Sequence, residues 1–270
     1  MRDTLKVAAL QMVSTPDVAR NLAAASTLMA RAADEGARLV ALPEYFCLLG
    51  RHDRDKLAIA EAEGDGPIQA HLAEAAQRLG LWVVAGTLPL RTSNPERVRN
   101  TSLVFGPDGR QMARYDKIHL FAFDNGKERY DEGRVLEAGG QAVSFEAEGW
   151  RVGLSVCYDL RFPELYRQLM APACDLILVP SAFTHTTGQA HWELLLRARA
   201  VENQCYVLAP AQGGLHENGR RTWGHSLLAD PWGTVLACHD EGEAVVEGEL
   251  SRERLLAVRQ QLPALAHRRL

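Results

Sequence analysis

The sequence predicts an α/β protein in which a mixed sheet arrangement is covered by helices. Short apolar runs alternate with amphipathic stretches of helical period along the chain. With 270 residues, 47% of them hydrophobic, the chain can bury a sizeable core as one large layered domain or two small ones. No linker, low-complexity segment or repeat interrupts the alternation, which favours a single domain over residues 1–270.

The elements follow in order. "LKVAALQM" reads as a strand, and the helix after it has Thr15 before Pro16 as a start signal and Gly36 as a stop. "ARLVALPE" reads as a buried strand, "GPIQAHLAEAAQRLG" as a helix and "LWVVAGTLPL" as one strand. "NTSLVFGPDGRQMARYDK" reads as two strands joined at "GPDG". The second half continues with "WRVGLSVCYD" as strand, "RFPELYRQLMA" as helix, "CDLILVPSAF" as strand and "GQAHWELLLRARAVENQ" as helix. "CYVLAPAQ" is then a strand, and "HSLLADPWGTVLACH" a hairpin turning at "DPWG". In such folds, ligand sites gather at the carboxyl ends of the strands.

Composition narrows the classes of function. A formal net charge of -4, with no basic run or stripe, argues against nucleic acid as a partner. The amino terminus lacks the pattern of a signal peptide, and no apolar run approaches the roughly 18 residues of a membrane span, so a cytoplasmic protein is expected. The cysteines, Cys47, Cys157, Cys174, Cys205 and Cys238, are odd in number and never form a C-x-x-C pair. Reduced thiols are expected, not a disulfide framework or zinc knuckle. His185, His191, His216 and His225 lack metal-ligand spacing, so neither a metal nor another cofactor is expected.

Three polar residues stand where apolar strands end. Cys157 closes "GLSVC", Glu44 closes "LVALPE" behind Pro43, and Lys117 follows the strand after "GPDG". Together they form a chemical set for acyl transfer. A buried Glu can take a thiol proton and return it to a leaving amine, and a fixed Lys cation can stabilise the oxyanion of a tetrahedral intermediate. The other four cysteines read as inert, small apolar residues in or beside an element.

"ALPEYF", "YDKIHLF" and "SVCYDLRFPELYR" resemble, in order, the three catalytic motifs of the nitrilase superfamily of carbon-nitrogen hydrolases. The resemblance runs from "VAALQM" to about "GELS". "PSAFTHTTGQAHWELLLRARAVENQCYV" and "GHSLLADPWGTV" look most like the branch of deaminated glutathione amidases, with omega-amidases close behind. It implies an αββα sandwich, pairing into an αββα-αββα dimer, with Cys157 as nucleophile, Glu44 as general base and Lys117 as oxyanion stabiliser. It also implies a second glutamate in "ERYDEGRVLEAG", best matched by Glu132, with Glu128 as competitor.

Tyr158 and His185 are candidate substrate-binding residues. Arg161 could bind a substrate carboxylate or hold its loop by pairing with Asp159 or Glu164, and the pairing is the expectation favoured here. Gly213, Gly214 and Gly219 could shape substrate access or simply form turns. Leu165, Leu169, Trp192 and Leu196 give two helices more apolar surface than one sheet contact needs, which points to a homodimer or larger homo-oligomer through those helices.

The leading functional expectation is a thiol amidohydrolase that cleaves a small linear carboxamide carrying a carboxylate, through a Cys157 thioester, with release of ammonia. An omega-amidase, a nitrilase or an N-carbamoyl amino acid hydrolase would use the same site on another substrate. A noncatalytic scaffold is the alternative from another class, opposed by the cost of burying a charged trio without use.

Overall fold

The computed structural model describes residues 3–269. Strand β1 (Thr4–Gln11) leads to helix α1 (Val18–Asp34), which is capped by Asp17, its side chain accepting the Arg20 N–H at 3.0 Å. The start lies beyond Thr15 because the Thr15 hydroxyl instead accepts the Asp17 N–H, at 3.1 Å. There follow β2 (Leu39–Ala41), α2 (Asp55–Ala58), α3 (Pro67–Leu79), β3 (Trp82–Val84) and β4 (Leu88–Arg91). The expected single strand over 81–90 is thus two. Gly86 breaks it at φ +54°, where any Cβ would collide with the Pro43 carbonyl. That close approach packs the break directly beneath the segment carrying Glu44.

β5 (Val98–Phe105) and β6 (Gln111–Asp116) form the expected hairpin, and β7 (Ala122–Asp124) pairs with β8 (Arg129–Asp131) in a small outlying one. Next come β9 (Val143–Ala147), β10 (Trp150–Leu154), α4 (Pro163–Leu169), β11 (Leu176–Leu178), α5 (His185–Asn203) and β12 (Tyr206–Ala209). A short hairpin of β13 (Gly213–Leu215) and β14 (Arg221–Trp223) occupies the stretch that holds Gly213, Gly214 and Gly219, the first two in a strand and the third in the turn. β15 (Ser226–Ala229), β16 (Val235–His239), β17 (Ala244–Ser251), α6 (Arg252–Gln261) and α7 (Ala264–His267) complete the chain.

The strands build two main sheets. The first has the order β17-β1-β2-β3-β5-β4 with β6 paired to β5, and the second β16-β15-β12-β11-β10-β9. Each has a parallel centre, β1-β2-β3 in one and β10-β11-β12 in the other. The alternation in β1 shows the layering. Leu5, Val7 and Ala9 join the core between the sheets, whereas Ala8 and Leu10 pack with Leu28, Met29, Leu72 and Ala76 of α1 and α3. Tyr166 of α4 and Trp192 and Leu196 of α5 cover the second sheet. The result is the αββα sandwich, and the segments leaving β2, β10 and β11 bring Glu44, Cys157 and Ala182 together.

One expectation fails here. Leu165, Leu169, Trp192 and Leu196 are buried within the chain, against the second sheet, and leave no surplus for a partner. What α5 exposes is Leu194 and Val201. No helix among the described residues is long and apolar enough to cross a membrane.

Candidate active site

Glu44 is almost wholly buried, and each of its partners is a donor. Oε1 accepts from Asn100 Nδ2 at 2.9 Å and Lys117 Nζ at 2.8 Å, and Oε2 accepts from the Ala182 N–H at 3.0 Å. The next residue, Tyr45, has φ +59°, a left-handed conformation costing a non-glycine residue roughly 1 kcal/mol. Its N–H donates to the Thr87 hydroxyl at 2.9 Å, and Gln212 Nε2 donates to the Glu44 carbonyl at 3.1 Å, so the strained turn is held from both sides.

Lys117 directly follows β6, and its side chain is completely buried. Its N–H donates to the Asn100 carbonyl at 3.0 Å. Asn100 therefore fixes the backbone of the lysine and the carboxylate of the glutamate at once. Lys117 Nζ also donates to both oxygens of Glu132, at 3.0 and 2.8 Å. Burial disfavours the ammonium, but Glu132, Glu44 and Cys157 outweigh it and hold Lys117 well above the ordinary lysine range. Burial likewise disfavours the Glu132 carboxylate. Lys117, the Phe121 N–H at 2.7 Å and the Tyr45 hydroxyl at 2.7 Å overcome it and keep Glu132 below the usual carboxylate range. Two carboxylates thus share one ammonium.

Cys157 opens a 3₁₀ turn (Cys157–Arg161) just beyond β10, at φ +50°. A sharp strand-to-helix reversal of this kind turns a nucleophile out of the sheet edge. The turn is clamped by Asp159, which is fully buried. Asp159 Oδ2 accepts from the Val156 N–H at 2.8 Å and the Tyr115 hydroxyl at 2.6 Å, and Oδ1 accepts from the His119 N–H at 3.0 Å. Tyr115 and His119 flank Lys117 in the chain, so this one carboxylate locks the cysteine turn to the lysine segment. Burial first, then the Glu44 charge, pushes the Cys157 thiol well above the ordinary thiol range, and Lys117 offsets only part of that. Raised in this way, the sulfur rests as a thiol at neutral pH.

Glu44, Lys117, Glu132 and Cys157 are therefore brought together, and Tyr158 lines the narrow pocket over Cys157 with Phe121, Ala182 and Phe183. Glu128 lies apart, accepting from the Thr186 hydroxyl at 3.1 Å. His185 does not face the pocket. Successive helix residues turn by about 100°, so Thr184 and Thr187 line it, and the His185 ring packs against Trp223 at 5.0 Å.

Arg161 pairs with neither Asp159, whose oxygens are taken by the clamp, nor Glu164. It contacts His191 Nδ1 at 3.3 Å and lines the Cys157 pocket, its guanidinium 5.4 Å from the Phe183 ring centre. Among the remaining cysteines, burial pushes Cys47 up to about 12 and Cys174 up to about 11, and raises Cys205 as well. Cys238 lies in a strand as expected, β16, but is exposed there, and partial burial together with Asp240 raises its thiol too.

The family model "Carbon-nitrogen hydrolase" matches residues 6–260. The deaminated glutathione amidase of Synechocystis sp. is 41% identical over 265 residues, 97% of each chain. The omega-amidase NIT2 of Homo sapiens is 35% identical over 267 residues, 98% of this chain and 95% of that one. Among solved structures, Saccharomyces cerevisiae Nit3, a member of branch 10 of the nitrilase superfamily, superposes with a TM-score of 0.90 at 30% identity, covering 100% of this chain and 98% of that one.

Proposed function

This chain belongs to the carbon-nitrogen hydrolase family, and from that we infer a thiol amidohydrolase that cleaves a small, carboxylate-bearing linear amide of the deaminated glutathione type. It is an enzyme acting on the carbon-nitrogen bond of amides. The observation that carries the mechanistic reading is the buried cluster in which Lys117 bridges Glu44 and Glu132 beside a neutral thiol.

In this reading Glu44 takes the Cys157 proton as Sγ attacks the amide carbon, and the new oxyanion forms against Lys117 Nζ. The C–N bond then breaks, with the proton held on Glu44 passing to the leaving nitrogen and a thioester left on Sγ. Water attacks the thioester carbon while Glu44 takes its proton. The acid departs, and the proton returns to sulfur. Glu132 keeps Lys117 charged and in place throughout. A primary amide yields ammonia, whereas a peptide-like amide such as that of deaminated glutathione yields the amine of the remaining peptide.

The second reading, an omega-amidase, is favoured by the 35% identity to NIT2. A panel separates the two. Deaminated glutathione is expected to give the higher kcat/KM by amine release, with alpha-ketoglutaramate slower by ammonia release. The reverse order would exchange the readings, turnover confined to nitriles or N-carbamoyl amino acids would overturn both, and a folded protein inert on all four would leave the scaffold.

The reduced thiol this chemistry needs accords with a cytoplasmic setting, which we propose with it. We also propose a homodimer, on a different footing from the buried leucines. Leu194 and Val201 of α5 are exposed, as is Trp232, next to the Gly233 that abuts Val201. Light scattering at micromolar protein should read twice the chain mass, and a monodisperse monomer would reject it.

A further inference from the structure

Beside the triad lies a second cavity, of about 310 Å³, whose chemistry the mechanism does not use. Four cationic side chains line it, Arg51, Lys56, Arg129 and Arg220, with Asp53 as the sole lining carboxylate. Two of the cations are poorly satisfied. The Lys56 side chain is only 15% exposed, and its Nζ lies over the Tyr45 ring, 4.9 Å from its centre, with no oxygen closer than the Asp53 carbonyl at 3.5 Å and the Asp53 carboxylate at 3.8 Å. Asp53 is itself 67% exposed, so this pairing is screened by water. Arg220 stacks over the Tyr130 ring at 4.9 Å, with its Nε buried and without a hydrogen-bond partner.

The cavity and the Cys157 pocket have no lining residue in common, but side chains of one pack on side chains of the other. Tyr45 lines it, donates to Glu132 and packs on Ala182, which lines the Cys157 pocket. Tyr130 lines it as well, with its ring 5.6 Å from that of Phe121 on the Cys157 side. The segments that form it are pinned together, since Asn218 Nδ2 donates to the Gly50 carbonyl at 2.6 Å and fixes the β13–β14 turn against the chain after Glu44. Arg161 is a separate cation, lining the Cys157 pocket itself.

We propose that this cavity is an anion subsite in which Lys56 and Arg220 bind a substrate carboxylate remote from the scissile bond, so that the preferred substrate is an amide carrying two carboxylates. The proposal rests on the amidohydrolase reading and deepens it. One carboxylate meets Arg161, and the second enters between Lys56 and Arg220. It would supply the close oxygen that Lys56 lacks and a counter-charge for the Arg220 guanidinium. Burial lowers the Lys56 ammonium below its ordinary range despite Asp53, and an anion in the cavity opposes that shift. A short amide with one carboxylate would leave the subsite empty.

The test uses four N-substituted amides: glutarylglycine, with a carboxylate at each end, glutaryl methylamide, pentanoylglycine, and N-methylpentanamide with none. In Lys56→Met and Arg220→Gln, kcat/KM for glutarylglycine relative to N-methylpentanamide should fall about ten- to a hundredfold, mainly through KM, as for loss of a charge-assisted hydrogen bond. Lys56→Arg should restore most of the ratio. Whichever monoacid shares the loss shows whether the acyl or the amine end occupies the subsite. An unchanged ratio, with all four substrates slowed alike, would overturn the proposal as a structural effect. If the wild type hydrolyses none of the four, the amidase reading fails on its own. Calorimetric binding of glutarate to Cys157→Ala then decides the subsite, which requires affinity at least tenfold weaker when Lys56→Met is added and is overturned by equal affinity.

Discussion

Cys157→Ala should fold normally and turn over no amide. The nucleophile is lost outright, so kcat is expected to fall by roughly 10⁴-fold or more, to the detection limit. The stability cost should be only about 1 kcal/mol, the loss of one small buried group. Lys117 keeps its bonds to Glu44 and Glu132, and the Asp159 clamp on the turn involves no atom of the cysteine side chain. The backbone supplies a control. Because residue 157 sits at φ +50°, an alanine there carries the same left-handed strain as the cysteine, whereas glycine relieves it. Cys157→Gly should therefore be equally inactive yet melt no lower than Cys157→Ala. Residual turnover above a few per cent in a folded variant would reject Cys157 as nucleophile, and a lower melting temperature for the glycine variant would reject strain at this turn.

How much of this was legible in the sequence depends on the range of the contacts involved. Glu44 stood out because a charged residue behind a proline ended an apolar run, and its burial follows from that local context. Asn100 did not stand out. It sits within β5, and its importance comes from a side-chain bond to a residue 56 positions away. The one local hint was an asparagine inside a strand, where that residue is depleted. Between Glu132 and Glu128 the sequence offered a preference for Glu132 by resemblance, not a physical reason. What separates them is the 3₁₀ turn (Glu132–Arg134) that aims the first at Lys117.

Asp159 was read as a partner for Arg161 because the two are close in sequence, but the fold gives its oxygens to Tyr115 and His119, from the far side of the site. β17 escaped notice for the same reason, since its register is set by β1 at the other end of the chain. The cationic cavity gathers residues from near positions 50, 130 and 220, which no window of sequence contains.

Glu44→Gln probes the chemistry more finely, because it removes a proton acceptor without emptying the site. All three partners of Glu44 are donors, so an amide can keep only one side satisfied. With its oxygen toward Asn100 and Lys117, its NH₂ faces the Ala182 N–H, and the lost bond should cost about 1–3 kcal/mol. Lys117 remains paired with Glu132, now one ammonium with one carboxylate, so the fold should survive. Turnover of an amide, which needs proton transfer in both acylation and deacylation, should fall by about 10²- to 10⁴-fold.

An activated ester has a leaving group that needs no proton, so it should still acylate Cys157 and then stall, leaving a thioester visible by intact mass. The pH dependence has a definite sign. Glu44 is one of the charges holding the Cys157 thiol up, so removing it while Lys117 stays lowers the thiol toward its ordinary range. Acylation of Glu44→Gln by the ester should therefore climb with pH as the thiol ionises unaided. If amide turnover stays near wild type, Glu44 is not the base. If the ester is released as fast as it binds, with no adduct, deacylation does not pass through Glu44, and the base for that half of the reaction must be sought at Glu132.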